Sequence, residues 1–196
     1  RVFRAPDELP LYAVDIDPAL ALAMDRAHLH QILDNLLANA ARYCSGMGAL
    51  VTVSDAKPEA ALRKGVEALE GLPVEFSLGE NHPTLPTRSD LIVISPGVPM
   101  GLPGIEEARA RGVPVIGELE LAVRRNPAPI IAVTGTNGKT TTTALLGHLL
   151  TAAGMRVCVA GNIGTPLLDV LEDAAAAAFI VLEISSFQID TTPSLK

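Results

Sequence analysis

The chain has 196 residues, 15 Lys and Arg against 22 Asp and Glu, and a formal net charge of −7; hydrophobic residues make up 48% and aromatic residues 3%, with no Trp. That is ample for the core of one or two domains. The acidic balance and the scarcity of aromatics argue against a general nucleic-acid or anionic-membrane surface and against a base-stacking platform, while leaving room for a local anion pocket.

Residues 1–46 differ in kind from the rest. ELPLYAVDIDPALALAMD reads as a strand pair or a strand with a turn. In DRAHLHQILDNLLANAARY, apolar Leu29, Ile32, Leu33, Leu36, Leu37 and Ala40 make a helical stripe that Asp25 can cap. From Leu50 onward short β-branched runs alternate with amphipathic ones. Strands are expected at 50–54, 73–77, 90–95 and 113–117. Helices are expected at 58–69, with Pro58 in the first turn, at 103–112, closed by Gly112, and at 118–125. NPAP (126–129) breaks the pattern and is the expected domain boundary. A strand at 130–135, a strong helix at 139–154, and strands at 155–161 and 178–185 follow; the alanine run at 174–178 is helix-compatible. The alternation predicts an α/β fold with parallel sheets covered on both faces.

Cys44 and Cys158 form no CxxC pair, and His28, His30, His82 and His148 are scattered, so the thiols read as reduced cysteines of a cytoplasmic protein. No apolar run reaches the roughly 20 residues that span a bilayer. The chain starts at Arg1 without a Met or a signal-peptide pattern, and is expected to be a piece of something longer.

The strongest chemical signal is Gly135-Thr-Asn-Gly-Lys-Thr140, between an apolar strand and a helix. Glycines let backbone N–H groups turn toward one point, and the helix N-terminus adds positive potential, as phosphate binding requires. Lys139 is placed to meet the β- and γ-phosphates and the Thr140 hydroxyl to ligate Mg²⁺, although only two residues, not four, separate the glycines. Gly161-Asn162-Ile163-Gly164 makes a second turn after a strand, at the sheet edge where ligands of α/β proteins collect. Glu183 ends an apolar strand, where a carboxylate is costly unless paired or metal-bound, so a metal role is expected. Ser185, Ser186 and Gln188 lie beside it as hydrogen-bonding groups. Asp55 after the strand at 50–54, followed by Ala56 and Lys57, fits an acidic residue facing a ribose or base. Ser95-Pro96-Gly97 offers a further backbone turn at the same edge.

VTVSD (51–55), DLIVISPGVP (90–99), PVIGELEL (114–121), IIAVTGTNGKTTTT (130–143), GNIGTP (161–166) and LEISSFQ (182–188) together resemble the Mur ligases, and most closely their D-glutamate-adding branch. The short phosphate loop is shared with the folylpolyglutamate synthases, another amide-ligase reading. The resemblance implies a Rossmann-like first domain for a UDP sugar, at 47–127, and a P-loop central ATPase domain from 128 onward, both partial here. It implies an ATP-dependent ligase that joins D-glutamate to UDP-N-acetylmuramoyl-L-alanine through an acyl phosphate, in cytoplasmic peptidoglycan precursor synthesis. The intact member is expected to be monomeric, bound to neither nucleic acid nor membrane. Residue by residue, Gly135, Thr136, Asn137, Gly138, Lys139, Thr140 and Thr141 would hold ATP. Thr140 and Glu183 would hold Mg²⁺, with Lys139 and Glu183 catalytic. Asn162, Ser185 and Gln188 would line the acyl-acceptor region, and Asp55, Ala56, Lys57, Ser95, Pro96 and Gly97 the UDP part. The family's opening strand and GxGxSG-type loop are not found before Val51, so the first sheet is expected to lack its first strand and to leave an edge unpaired. With a third domain also lacking, the chain by itself is expected to be inactive. HLHQILDNLLANAARYCSG (28–46) resembles the N-box helix of a sensor histidine kinase. That resemblance puts Asn39 on Mg²⁺ and Arg42 or Tyr43 near a nucleotide, and implies a junction near Gly46.

Overall fold

The computed structural model describes residues 20–24, 33–79, 89–95, 98–162 and 164–195. The chain divides into two compact units, one up to Ile116 and one from Gly117. The division falls one helix before the Asn126–Pro129 break.

In the first unit, strands β1 (Leu20–Met24), β2 (Val51–Asp55), β3 (Val74–Leu78), β4 (Leu91–Ile94) and β5 (Val115–Gly117) lie in the order β3-β2-β1-β4-β5. β1 runs parallel to β2, from Leu20↔Val51 to Met24↔Asp55, and parallel to β4, with Leu20↔Leu91. This is a doubly wound order whose direction reverses between β1 and β4. It corrects the expectation of a missing first strand: the LALAM segment fills the central position. Strand pairing is made by backbone groups, so a short apolar run can complete a sheet without any family motif.

Helix α1 (Leu33–Gly46) packs on β1 and β2 and buries Ala38, Ala40, Ala41 and Cys44. Small side chains let it sit close to the sheet. Ile92, Val93 and Ile94 of β4 are all buried, as expected for a parallel strand covered on both faces. Helix α3 (Pro103–Ala110) starts with proline at its first turn and buries Ile105 and Ala108. The helix expected over 58–69 is instead a 3₁₀ turn, Glu59–Ala61, and a short helix α2 (Arg63–Glu67). The chain leaves helical geometry at Leu62 (φ −114°, ψ 13°), and Gly65 weakens α2 from within.

The second unit contains α4 (Glu118–Arg125), β6 (Ile130–Val133), α5 (Lys139–Ala152), β7 (Val157–Gly161), α6 (Leu171–Ala175), β8 (Phe179–Glu183) and α7 (Ser186–Asp190). Its sheet has the order β6-β8-β7, both pairs parallel. β8 is central, with Ile180, Val181 and Leu182 wholly buried. The register pairs Glu183 with Val133 on one side and Gly161 on the other. The last residues of all three strands therefore meet at one edge. The alanine run is helical only to Ala175.

Candidate nucleotide-binding site

β6 delivers the chain to the glycine loop. Gly135 (φ 149°) and Gly138 (φ 76°) take backbone conformations that side-chain-bearing residues rarely adopt. They turn the chain into α5, whose start has no side-chain cap and no acidic residue in its first turn. Its leading N–H groups are left for an anion. Lys139 Nζ donates to the Gly135 carbonyl at 2.8 Å and so lies across the loop. Thr136, Asn137, Thr140 and Thr141 are exposed around it. Backbone donors, one ammonium and exposed hydroxyls make a cradle for phosphate.

Glu183 sits beside this cradle because its strand partner, Val133, is the last residue of β6. Its side chain is 2% exposed, and Oε1 has no hydrogen-bond partner. A buried carboxylate oxygen without a donor is costly, and a hard cation is a natural complement. Among the described residues no group of three His, Cys, Asp or Glu could hold a metal. Mg²⁺ needs no such cage: it commonly takes one or two protein oxygens, with phosphate and water completing the shell. Glu183 and the Thr140 hydroxyl therefore fit a cation that arrives with a nucleotide.

The Gly161 turn is pressed onto the same strand end. A Cβ at Gly161 would strike the Glu183 backbone carbonyl oxygen and nitrogen, and its φ is 135°. Asn162 N donates to the Glu183 carbonyl at 2.9 Å, and Gly161 N to the Thr165 carbonyl at 3.0 Å. Only glycine permits this approach, which brings Asn162 next to Glu183.

Ser185 and Gln188 form a capping box at the start of α7. The Ser185 hydroxyl donates to Gln188 Oε1 at 3.2 Å and accepts from Gln188 N at 3.3 Å; Ser185 N donates to Gln188 Oε1 at 3.0 Å. The Ser185 hydroxyl and the Gln188 amide oxygen are thus engaged in folding α7, and the amide nitrogen takes no part in these bonds. The S-x-x-Q spacing is the sequence signal for this helix.

The other expected residues lie in the first unit. Asp55, 2% exposed at the end of β2, accepts at Oδ1 from Lys57 N at 2.8 Å. Gly79 N donates to the carbonyls of both Asp55 and Lys57 at 2.9 Å, so the turn carrying Ala56 is tied to the end of β3. Ser95 is buried just beyond β4. Pro96 and Gly97 lie outside the described residues. On α1, Arg42 Nη1 donates to Asn39 Oδ1 at 3.2 Å, and Asn39 is buried.

Two carboxylates of α4 escaped the sequence reading. Glu120 is wholly buried; it accepts from Arg124 Nε at 2.6 Å, from Ser194 Oγ at 2.7 Å and from Ser194 N at 3.1 Å. Glu118 is 5% exposed with Oε1 unpartnered; burial, and then the Asp169 carboxylate, push its pKa up to about 8. Residues two apart on a helix point to nearly opposite sides. Apolar Leu119, Leu121 and Ala122 between and beyond them are the one hint that α4 is covered around its girth.

Residues 38–117 match the family described as Mur ligase MurD-like, N-terminal domain, and residues 133–195 match Mur ligase middle domain. The first match begins inside α1 and takes in Asn39, Arg42 and Tyr43. A UDP-N-acetylmuramoylalanine–D-glutamate ligase of Desulfatibacillum aliphaticivorans is 49% identical over 79% of this chain and 34% of its own length. One of Koribacter versatilis is 47% identical over 77% of this chain and 33% of its own length. A crystal structure of the UDP-N-acetylmuramate:L-alanyl-gamma-D-glutamyl-meso-diaminopimelate ligase of Neisseria meningitides aligns with a TM-score of 0.48 at 21% identity, over 85% of this chain and 52% of that one. The chain spans about a third of the length of the curated relatives it matches. With both domain matches in collinear order, each on an α/β unit with a parallel sheet, the chain belongs to the Mur ligase family.

Proposed function

We propose that the chain carries the ATP-binding part of an ATP-dependent ligase that joins D-glutamate to UDP-N-acetylmuramoyl-L-alanine. The observation that carries this reading is the unpartnered, buried Glu183 carboxylate, held by strand register beside an uncapped, glycine-turned helix N-terminus. In this reading Gly135 to Thr141 hold the phosphates of ATP, and Lys139 leaves the Gly135 carbonyl to lie against them. Thr140 and Glu183 hold Mg²⁺, which neutralises charge on the transferring phosphoryl group. Preorganised N–H groups serve the same end without moving, and the Lys139 ammonium joins them once it has left the Gly135 carbonyl. Asn162 and the Gln188 amide nitrogen face the carboxylate that becomes the acyl phosphate. Asp55, Ala56, Lys57 and Ser95 serve the UDP part. The choice of D-glutamate over other amino acids is supported by the names of the relatives. The substrate in this reading is a nucleotide-linked sugar of the cytoplasm; no described helix is long and apolar enough to cross a membrane.

Calorimetric titration of the chain with ATP, with and without Mg²⁺, tests the proposal. Binding that depends on Mg²⁺ and is strongly weakened in Lys139→Ala is expected; unaltered binding in that variant would remove the loop from the site. Titration with UDP-N-acetylmuramoyl-L-alanine and, separately, with a folate tests the substrate class, and a response to the folate alone would move the chain to the folate branch.

A further inference from the structure

β3 is the outermost strand of the first sheet, and beside it α2 leaves a groove of about 410 Å³. Val66, Leu69, Leu72 and Phe76 give it an apolar floor, with Phe76 39% exposed. Its rim is acidic: among the described residues Glu59, Glu67 and Glu70 line it against one cation, Arg63, whose Nε bonds Glu67 at 2.9 Å. Among the described strands β3 pairs with β2 alone, and it reads VEFSL, with no proline and no lysine. Exposed edges are usually blunted by such residues, because they offer unpaired backbone donors and acceptors.

We propose that this face is a docking surface for a basic peptide segment of a partner protein, one that sets apolar side chains on Phe76 and Leu72 and lysines or arginines against Glu59, Glu67 and Glu70. The volume suits one or two side chains. The excess of carboxylates over Arg63 selects a cationic partner and rejects an anionic one. The edge of β3 that no described strand covers gives an extended segment a row of backbone partners. The inference is independent of ATP binding in the second unit.

The test uses a fluorescein-labelled peptide alternating lysine with valine and phenylalanine, and its counterpart with glutamate at every lysine, read by fluorescence anisotropy. The lysine peptide is expected to bind at least about tenfold more tightly, and less tightly as salt rises. The double variant Glu67→Lys with Glu70→Lys should lose about tenfold. Glu106→Lys with Glu107→Lys, the same charge change on exposed α3, should leave binding unaltered. Phe76→Ala should weaken binding, and the two exposed glutamates keep the test sound if that variant fails to fold. Equal binding of both peptides, or equal losses in the two charge-reversal pairs, overturns the proposal. A dimer in sedimentation that disperses in the Glu67/Glu70 variant also overturns it, by giving the face to a second copy of the chain.

Discussion

Each unit ends a central or near-central parallel strand on a buried carboxylate, and the two carboxylates are treated in opposite ways. Asp55 closes β2 and is satisfied locally: its Oδ1 takes the Lys57 N–H, and the carbonyls of that turn take Gly79 N. Glu183 closes β8 at the same relative exposure, yet its Oε1 has no partner. The difference lies in the turn beyond each strand. After β2 the chain folds back on the carboxylate and donates to it. After β8 the Ser185–Gln188 box satisfies itself, and the neighbouring Asn162 N–H goes to the Glu183 backbone carbonyl rather than to its side chain. A carboxylate that helps hold its own turn is structural even when it also meets a ligand, whereas one left unsatisfied at 2% exposure stores a demand that a cation can meet.

This contrast can be broken at Gly161. Gly161→Ala forces a methyl group into the Glu183 backbone and should cost about 3 kcal/mol or more, seen as a lower thermal midpoint and lost hydrogen-exchange protection in the β7–β8 pair. Lys139→Ala leaves the fold intact, because its bond to the Gly135 carbonyl is exposed; it should weaken Mg²⁺-dependent ATP binding about 30- to 100-fold, measured by calorimetry. Glu183→Gln sharpens the comparison, since its two readouts should move in opposite directions. The Mg²⁺ dependence of ATP binding should vanish, while stability without ligand rises by about 1–3 kcal/mol in urea unfolding. Asp55→Asn keeps an oxygen for Lys57 N and should change stability by less than about 1 kcal/mol, with ATP binding unaffected.

Glu118 is a further buried carboxylate, and it answers to pH. Its pKa is raised from 4.5 to about 8 by burial and by Asp169. Between those values the folded state keeps a proton that the unfolded state has released, so stability falls as pH rises through the window. The contribution is full below pH 4.5 and gone above about 8. Urea unfolding of the second unit across this range should therefore weaken with pH. Glu118→Gln should remove most of that slope and make the unit more stable than the parent at the alkaline end. A slope unaltered by Glu118→Gln would assign it to other groups.

Most of the candidate cradle was legible in the chain because its parts are contiguous. A glycine turn between an apolar strand and a helix fixes backbone geometry locally, so GTNGKT at 135–140 announces an anion site without help from distant residues. The expectation of a metal role for Glu183 rested only on an expense, a carboxylate at the end of IVLE. The sheet order that sets β8 between β6 and β7, and the register Val133↔Glu183, turned that expense into a position beside the loop. The engagement of the Ser185 hydroxyl in a cap depends on a hydrogen-bond geometry that residue types suggest but do not select.

The sequence by itself determined the alternation of strands and helices and the glycine turn between β6 and α5, because periodicity and glycine placement act over a few residues; the branch of the family came from its resemblance to known ligases. Tertiary structure alone decided what LALAM became, since a short apolar run carries no mark of the strands it will join and found its place between β2 and β4 through backbone pairing. It also decided the fate of the α4 carboxylates: Glu120 was buried with Ser194 to receive, and Glu118 beside Asp169 with an oxygen unmet. Burial depends on which elements close over a side chain, and those elements lie about 50 to 75 residues farther along the chain.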